Sequence, residues 1–539
     1  MRPSKDPVEI GKIMSPLVAD GALDTATFNA NAGYLRTTFA TPGLDNDQAY
    51  RVGVLSTGKI IAAGDTSVGG PNHMFLERIN SNGTLDTSIQ IPASSFSPST
   101  VTAFVDMVIA NDKIYILGRA SSGGSCFINA AIAVYKADLT PDTSFGTGGF
   151  KSFNAFTGTG CTDQPSAMAV QPDGKIVIAA FATDNMTQFF SYIARFNTDG
   201  SIDGGFGGTV PLGGVAGQAR FASLTQIYDL VIQPDSVVAN PPKIVAGGGS
   251  SGTGNFTMYR FTSIGALDPG FGAAGTVITN FGNGSEIHSL ALYSDGRILA
   301  AGQWGGTLGN GEFALARYSR DGAADTFGTA GKVTTDMSNG QDTANFVGIM
   351  STGKIIATGA ATGGAVQSIG VARYNTNGSL DDGTGTDSTP GDSFGTAGKT
   401  LEHLGTTSGN NNLPTAPGGA LQTDDKILVS GQVSTATVNN SEDLYVARFT
   451  NAAPTAAHVG VAGRVVTSAG AGLAGARVIL TDGNNNSVTA LTNSFGYFRF
   501  DSIESGSAYV IGVTLKRYSF ASQLITVQDE VTDLTITAQ

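Results

Sequence analysis

Charged side chains are scarce in this chain: Asp, Glu, Lys and Arg make up 14% of its 539 residues, against roughly a quarter in ordinary soluble domains. Histidine occurs four times and cysteine twice. His73, His288, His403 and His458 show no HExxH or paired spacing, so a metal hydrolase centre is not expected. No stretch approaches the ~18–20 apolar residues needed to cross a bilayer as a helix. Basic runs are missing too. With 43 acidic and 30 basic side chains the net charge is −13, a balance that repels phosphate backbones and argues against nucleic acid as a partner. The opening residues Met1 to Asp6 carry no apolar leader.

Glycine, by contrast, is plentiful at 74 residues, and apolar residues reach 41%, a composition suited to many short strands joined by turns. An internal repeat supplies them. Gly275 to Gly322 contains GTVITNF, EIHSLALYSDGRILAAGQ and EFALARYSRDG; the following copy contains GKVTTDM, NFVGIMSTGKIIATGA and SIGVARYNTNG. Each copy offers four runs with period-two alternation, the signature of strands. A basic turn position recurs at Lys59, Lys113, Lys175, Lys243, Arg297, Lys354 and Lys426. A connector of the form G-x-L-D-x-x-F-G recurs with its Asp at Asp24, Asp86, Asp142, Asp203, Asp268, Asp325 and Asp381. Seven of each predict an all-β chain built as a seven-bladed β-propeller of four-stranded antiparallel blades over residues 20–450. Residues 20–28 are expected to dock against the last strand and close the ring, with residues 1–19 as an N-terminal arm. These repeats resemble the delta-sixty repeats of bacterial surface proteins, a resemblance carried by LYSDGRILAAGQ, FALARYSRDG and GALDPGFGAAGTV. It implies a repeat fold and no common activity.

Residues 451–457 break the pattern and read as a linker. Residues 458–539 then offer about seven strands, as expected of a small β-sandwich. Gly463, Val465, Gly475, Ala476, Val478, Leu480, Thr492, Gly496, Phe498, Phe500 and Tyr509 resemble the pattern of a carboxypeptidase regulatory-like (transthyretin-like) domain. Such domains serve as spacers on exported proteins, and the name implies no peptidase chemistry.

Chemistry is thinly marked. Arg78, Arg195, Arg260, Arg317 and Arg373 stand eight residues before Asp86, Asp203, Asp268, Asp325 and Asp381. That offset predicts a structural ion pair in each unit, in preference to a ring of carboxylates binding calcium. In the second unit Val134 replaces the Arg. The acidic insert Asp381 to Asp387 reads as loop before cation site. Gly248 to Gly252 satisfies G-x-S-x-G but follows a strand and precedes another, where a nucleophile elbow needs a helix. Trp304, the sole tryptophan, is placed in a loop and is the candidate ligand contact. Cys126 and Cys161 are placed in loops of adjacent blades as a candidate disulfide, which would suit an oxidising compartment.

No catalytic, cofactor or metal residues are assigned, and an enzyme is not expected. The reading is a non-catalytic extracellular or cell-surface protein acting in adhesion, protein interaction or self-assembly into a layer or fibre. A lectin-like propeller binding surface glycans is the alternative, and a propeller enzyme with an unrecognised site comes third.

Overall fold

The computed structural model describes residues 20–30, 32–38, 47–67, 72–96, 99, 101–121, 126–155, 161–184, 188–207, 217–221, 225–237, 240–250, 254–282, 284–305, 311–363, 366–384, 393–404, 418–434, 442–451, 458–468, 470–482, 487–504, 507–527 and 531–539. The arm at 1–19 and linker residues 452–457 lie outside them. The chain divides into two compact units, Met1–Asn451 and Ala452–Gln539.

The first unit is a β-propeller. After β1 (Tyr34–Thr37), blade one is β2 (Asp47–Val54), β3 (Ile60–Thr66), β4 (His73–Ile79) and β5 (Leu85–Ile91). Blade two is β6 (Val101–Ala110), β7 (Lys113–Ser121), β8 (Cys126–Lys136) and β9 (Phe150–Phe153). Blade three is β10 (Cys161–Val170), β11 (Ile176–Asp184), β12 (Gln188–Phe196) and β13 (Gln218–Phe221). Blade four is β14 (Thr225–Gln233), β15 (Lys243–Ser250), β16 (Phe256–Phe261) and β17 (Thr276–Thr279). Blade five is β18 (Glu286–Leu292), β19 (Ile298–Trp304), β20 (Glu312–Tyr318) and β21 (Lys332–Thr335). Blade six is β22 (Gln341–Ile349), β23 (Ile355–Gly363), β24 (Val366–Tyr374) and β25 (Lys399–Glu402). The last is β26 (Gly418–Leu421), β27 (Ile427–Ser434) and β28 (Glu442–Phe449), completed by β1 from the N-terminal side.

Period-two alternation buries one residue set between neighbouring blades and leaves turns outside. The middle strands are buried almost throughout: Ile298 to Ala301 and Phe313 to Ala316 are inaccessible to solvent. First strands touch in succession, β2 with β6, then β10, β14, β18, β22 and β26, and β26 meets β2. The wheel is closed by strand exchange. Tyr34 to Thr37 pairs antiparallel with Ala447 to Leu444, Leu23 bridges Phe449, and the Asp24 N–H donates to the Arg448 carbonyl at 2.8 Å. The fourth strand of the last blade is Tyr34–Thr37, beyond the connector.

The second unit holds β29 (His458–Val466), β30 (Arg477–Thr481), β31 (Ser487–Leu491), β32 (Tyr497–Glu504), β33 (Ser507–Thr514), β34 (Gln523–Val527) and β35 (Val531–Thr537). Sheets ordered β32-β29-β35 and β31-β30-β33-β34 enclose Val461, Val465, Val478, Leu480, Phe498, Ile511 and Ile536. The buried Thr492 hydroxyl donates to the Leu473 carbonyl and accepts the Ala476 N–H, tying two loops together.

Candidate functional site

Six first strands carry a bulge at the same level. Register slips fall between Ala49/Arg51, Phe104/Asp106, Pro165/Ala167, Ile227/Asp229, Ile287/Ser289 and Ala344/Phe346. A bulge inserts one unpaired residue and re-aims it. Here the inserted residues are Tyr50, Val105, Ser166, Tyr228, His288 and Asn345, and all six line one cavity of about 410 Å³ around the propeller axis. Arg51, Asp65, Ala103, Phe104, Arg119 and Gln226 complete its walls.

Aromatic faces and hydrogen-bonding groups alternate in this cavity. Tyr50 stacks on Phe104 at 5.9 Å and Tyr228 on His288 at 5.0 Å. His288 lies 3.2 Å from Glu286, whose carboxyl it draws below its usual range. Asn345 is 5% exposed, and neither its Oδ1 nor the buried Arg119 Nε has a hydrogen-bond partner among the described residues.

Carboxylates near the axis are committed to the backbone of the next blade. Asp65 accepts the Phe104 N–H at 2.6 Å, Asp106 the Met168 N–H at 2.9 Å and Asp229 the Leu290 N–H at 2.6 Å. Arg51 donates to Asp106 at 2.8 Å. Burial pushes Asp65 and Asp229 up to about 7, the nearby Asp106 charge adding to the rise at Asp229. These groups staple wedges together, and each has an oxygen taken by a blade-to-blade bond.

The repeated ion pairs form a second system. Lys59 and Arg78 both donate to Asp86 Oδ2 at 2.6 Å; Lys175 and Arg195 meet Asp203, Lys243 and Arg260 meet Asp268, and Arg297 and Arg317 meet Asp325 in the same way. Lys354 and Arg373 converge on Asp381, and Lys426 and Arg448 on Asp24. Each arginine also clasps the following blade. Arg78 Nη1 donates to the Ala137 carbonyl, Arg195 to Ser263, Arg260 to Arg320, Arg317 to Thr376 and Arg448 to Ser81. Arg373 instead reaches the side chains of Asp20 and Asn451. Connector phenylalanines lie under five of these guanidiniums: Phe206, Phe271, Phe327, Phe394 and Phe28, at 4.4–5.0 Å.

Other sequence candidates settle differently. Trp304 ends strand β19 rather than standing in a loop, packs half-buried beside the cluster of Phe256 and Ile287, and is not among the residues that line the axial cavity. Cys126 and Cys161 begin strands β8 and β10, again not loops, and are register partners in a short parallel pairing between blades two and three. Gly248 to Ser250 lie within β15, and Ser251 and Gly252 fall outside the described residues. Of the acidic insert, Asp381 and Asp382 are described and residues 385–387 are not. No group of three or more metal-ligating side chains occurs among the described residues, nor any helix long and apolar enough to cross a membrane. His288, Tyr50, Tyr228 and Asn345 belong to no sequence motif that singles them out as site residues.

No curated protein matches the chain. Several solved structures do. The polysaccharide lyase Uly1 aligns over 75% of this chain and 90% of its own at 10% identity and TM-score 0.37. Sqt1 from Chaetomium thermophilum covers 75% and 96% at 10% identity and TM-score 0.38. The β-propeller domain of the Trilobed protease from Pyrococcus furiosus covers 77% and 98% at 11% identity and TM-score 0.36. A domain of unknown function (DUF5122) β-propeller matches residues 55–88, 171–206, 294–327, 351–383 and 422–451, and a carboxypeptidase regulatory-like domain matches 460–539. The chain thus carries DUF5122 β-propeller repeats of the delta-sixty kind, followed by a carboxypeptidase regulatory-like domain.

Proposed function

We propose a non-catalytic binding protein of the cell exterior whose axial cavity receives a saccharide. The observation that carries this reading is the convergence of six bulged residues on one cavity of about 410 Å³. Tyr50, Ser166, Gln226, Tyr228, His288, Asn345 and Arg119 offer several donors and acceptors, as a polyhydroxylated ring requires, and aromatic rings stand among them. Catalysis is disfavoured because Asp65, Asp106 and Asp229 hold blades together through backbone N–H groups, leaving them poorly placed as acid, base or nucleophile. A glycan array followed by calorimetry with the best hit tests this. Binding that Tyr228→Ala and Asn345→Ala each weaken about tenfold or more, with no new reducing ends released, supports it. An empty array, or affinity untouched by both substitutions, sinks it.

Self-association is the second reading, and the sandwich favours it. Edge strand β31 exposes Val488 (45%) and Leu491 (68%), and Phe495 (68%) and Tyr497 (54%) follow in sequence. An exposed apolar strand edge invites another chain. Light scattering of the whole protein should show assemblies that Leu491→Lys with Phe495→Ser disperses. A wild-type monomer at high concentration would refute this second reading.

A further inference from the structure

The junction between blades two and three departs from the others at one position. Val134 stands where six other blades place an arginine, eight residues before its connector aspartate, Asp142. Several of the arginine's partners persist, although Tyr115 stands across from Val134 where the other blades place Val, Leu or Ile, and Ala110 holds the place of Gln233. Asp142 lies 2.7 Å from Lys113, which with the Ser144 hydroxyl holds the carboxyl down to about 2. In the six other blades the matching Oδ2 accepts two cations; here Lys113 is the one cation paired with it among the described residues. Phe145, at 1% exposure, occupies the place of the phenylalanines that lie under the other guanidiniums. Thr198 occupies the turn position whose carbonyl accepts the clasp elsewhere, as Ser263, Arg320 and Thr376 do. The Gly146 N–H donates to Asp199 at 2.8 Å, as Gly207 does to Ile264 at the next junction, so the two wedges meet in the usual alignment.

Between these groups lies a cavity of about 180 Å³, lined by Val134, Asp142, Phe145, Thr198, Tyr115 and Asp173 among others. It combines an ionised carboxylate, an aromatic ring and a backbone turn, arranged in the blade that lacks its own guanidinium. We infer that this junction is a receptor for a guanidinium group supplied from outside the blade. Five other blades hold a guanidinium over the corresponding phenylalanine. Guanidinium is preferred over ammonium, since those blades use its planar fork to reach carboxylate and carbonyl at once. Lys113 already supplies the point charge. The site is independent of the axial cavity, sharing no lining residue with it.

Calorimetry on the full chain tests the inference with methylguanidine, with free L-arginine and with a glycine-flanked arginyl peptide, each against its ammonium or lysyl analogue. Saturable binding of methylguanidine, at least about tenfold tighter than methylammonium, is expected. Tighter binding of the peptide than of free arginine identifies a protein side chain as the source; the reverse identifies a small guanidino compound. Val134→Arg should abolish binding while raising the melting temperature, because the blade then fills its own site. Should that variant fail to fold, Asp142→Asn preserves shape and should weaken binding about tenfold or more. No saturable binding of any guanidino probe, equal binding of the ammonium analogues, or binding unchanged in either folded variant overturns the inference.

Discussion

Two kinds of blade junction coexist in this wheel. At the junction of blades four and five, Arg260 is 1% exposed and reaches Asp268, Gln233, Asp321 and two backbone carbonyls. At the junction of blades two and three a valine replaces it, and the contact is made by other means. Phe153 of β9 meets Phe196 at 5.0 Å and Tyr192 at 6.5 Å. Strand β8 pairs with β10, joining the two blades into one eight-stranded sheet. The same wedge geometry is thus served by a polar clasp in one place and by apolar packing with strand pairing in another. A clasp is hard to interrupt partway, since a buried guanidinium without its carboxylate is an uncompensated charge. An apolar contact degrades gradually.

That difference sets the largest expected effect. Asp381→Ala leaves Arg373 and Lys354, 1% and 7% exposed at their side chains, without their shared carboxylate, and should cost about 3–5 kcal/mol. Val134→Ala, at the apolar junction, should cost about 1–2 kcal/mol. Urea denaturation measures both, and equal costs would break the comparison. Next in size comes the register pair Cys126 and Cys161. Strands lie about 4.8 Å apart across a ladder, within disulfide reach. Transfer of a disulfide from an oxidised dithiol partner, which is itself reduced, would join them, and Cys126→Ser should then cost about 2–4 kcal/mol. Thiol titration of unreduced, denatured protein should find fewer than two reactive groups; two would refute the crosslink.

Acidity sharpens the contrast further. Burial raises Asp65, Glu77, Asp163 and Asp229 to about 7, so the folded propeller holds protons that the unfolded chain releases near pH 4. Their stabilising contribution is full below about pH 4 and is lost as pH rises to about 7. The connector carboxylates act oppositely. Asp142, at about 2, and Asp24, Asp203, Asp268 and Asp325, held low against burial by their hydrogen bonds and cations, lose stabilisation as pH falls from about 4 towards 2. Propeller melting, followed by calorimetry, should therefore peak at mildly acidic pH. A maximum at pH 8 or above would contradict the burial of these groups. Smallest of all, Leu491→Lys on the exposed sandwich edge should move stability by no more than about 0.5 kcal/mol in the same scans.

The eight-residue spacing of Arg and Asp within a unit is legible in the chain itself because it is local and repeats; the reach of each arginine to the next blade, and the Arg448–Asp24 pair, are not. Nor is the axial cavity. Its signal is a defect in alternation: Ile227 and Leu230, or Ile287 and Leu290, face the core three residues apart where two is the rule. Taken singly, each defect looks like noise, and His288 like a stray histidine. Only pairing with the second strand of the blade identifies the extra residue, and only the closed wheel brings six such residues to one axis. Trp304 differs from expectation in one respect, its place at the end of a strand beside Phe256 and Phe281, because alternation does not mark where the strand stops.

Sequence alone determined the repeat, its four-strand unit, the ion pairs and the sandwich domain, because each rests on alternation or on spacing within one unit of chain. Tertiary structure decided which strand closes the ring, what lines the axis and where a missing arginine leaves a receptor. Those properties depend on contacts between units far apart in sequence, and no local pattern encodes a distance across the wheel.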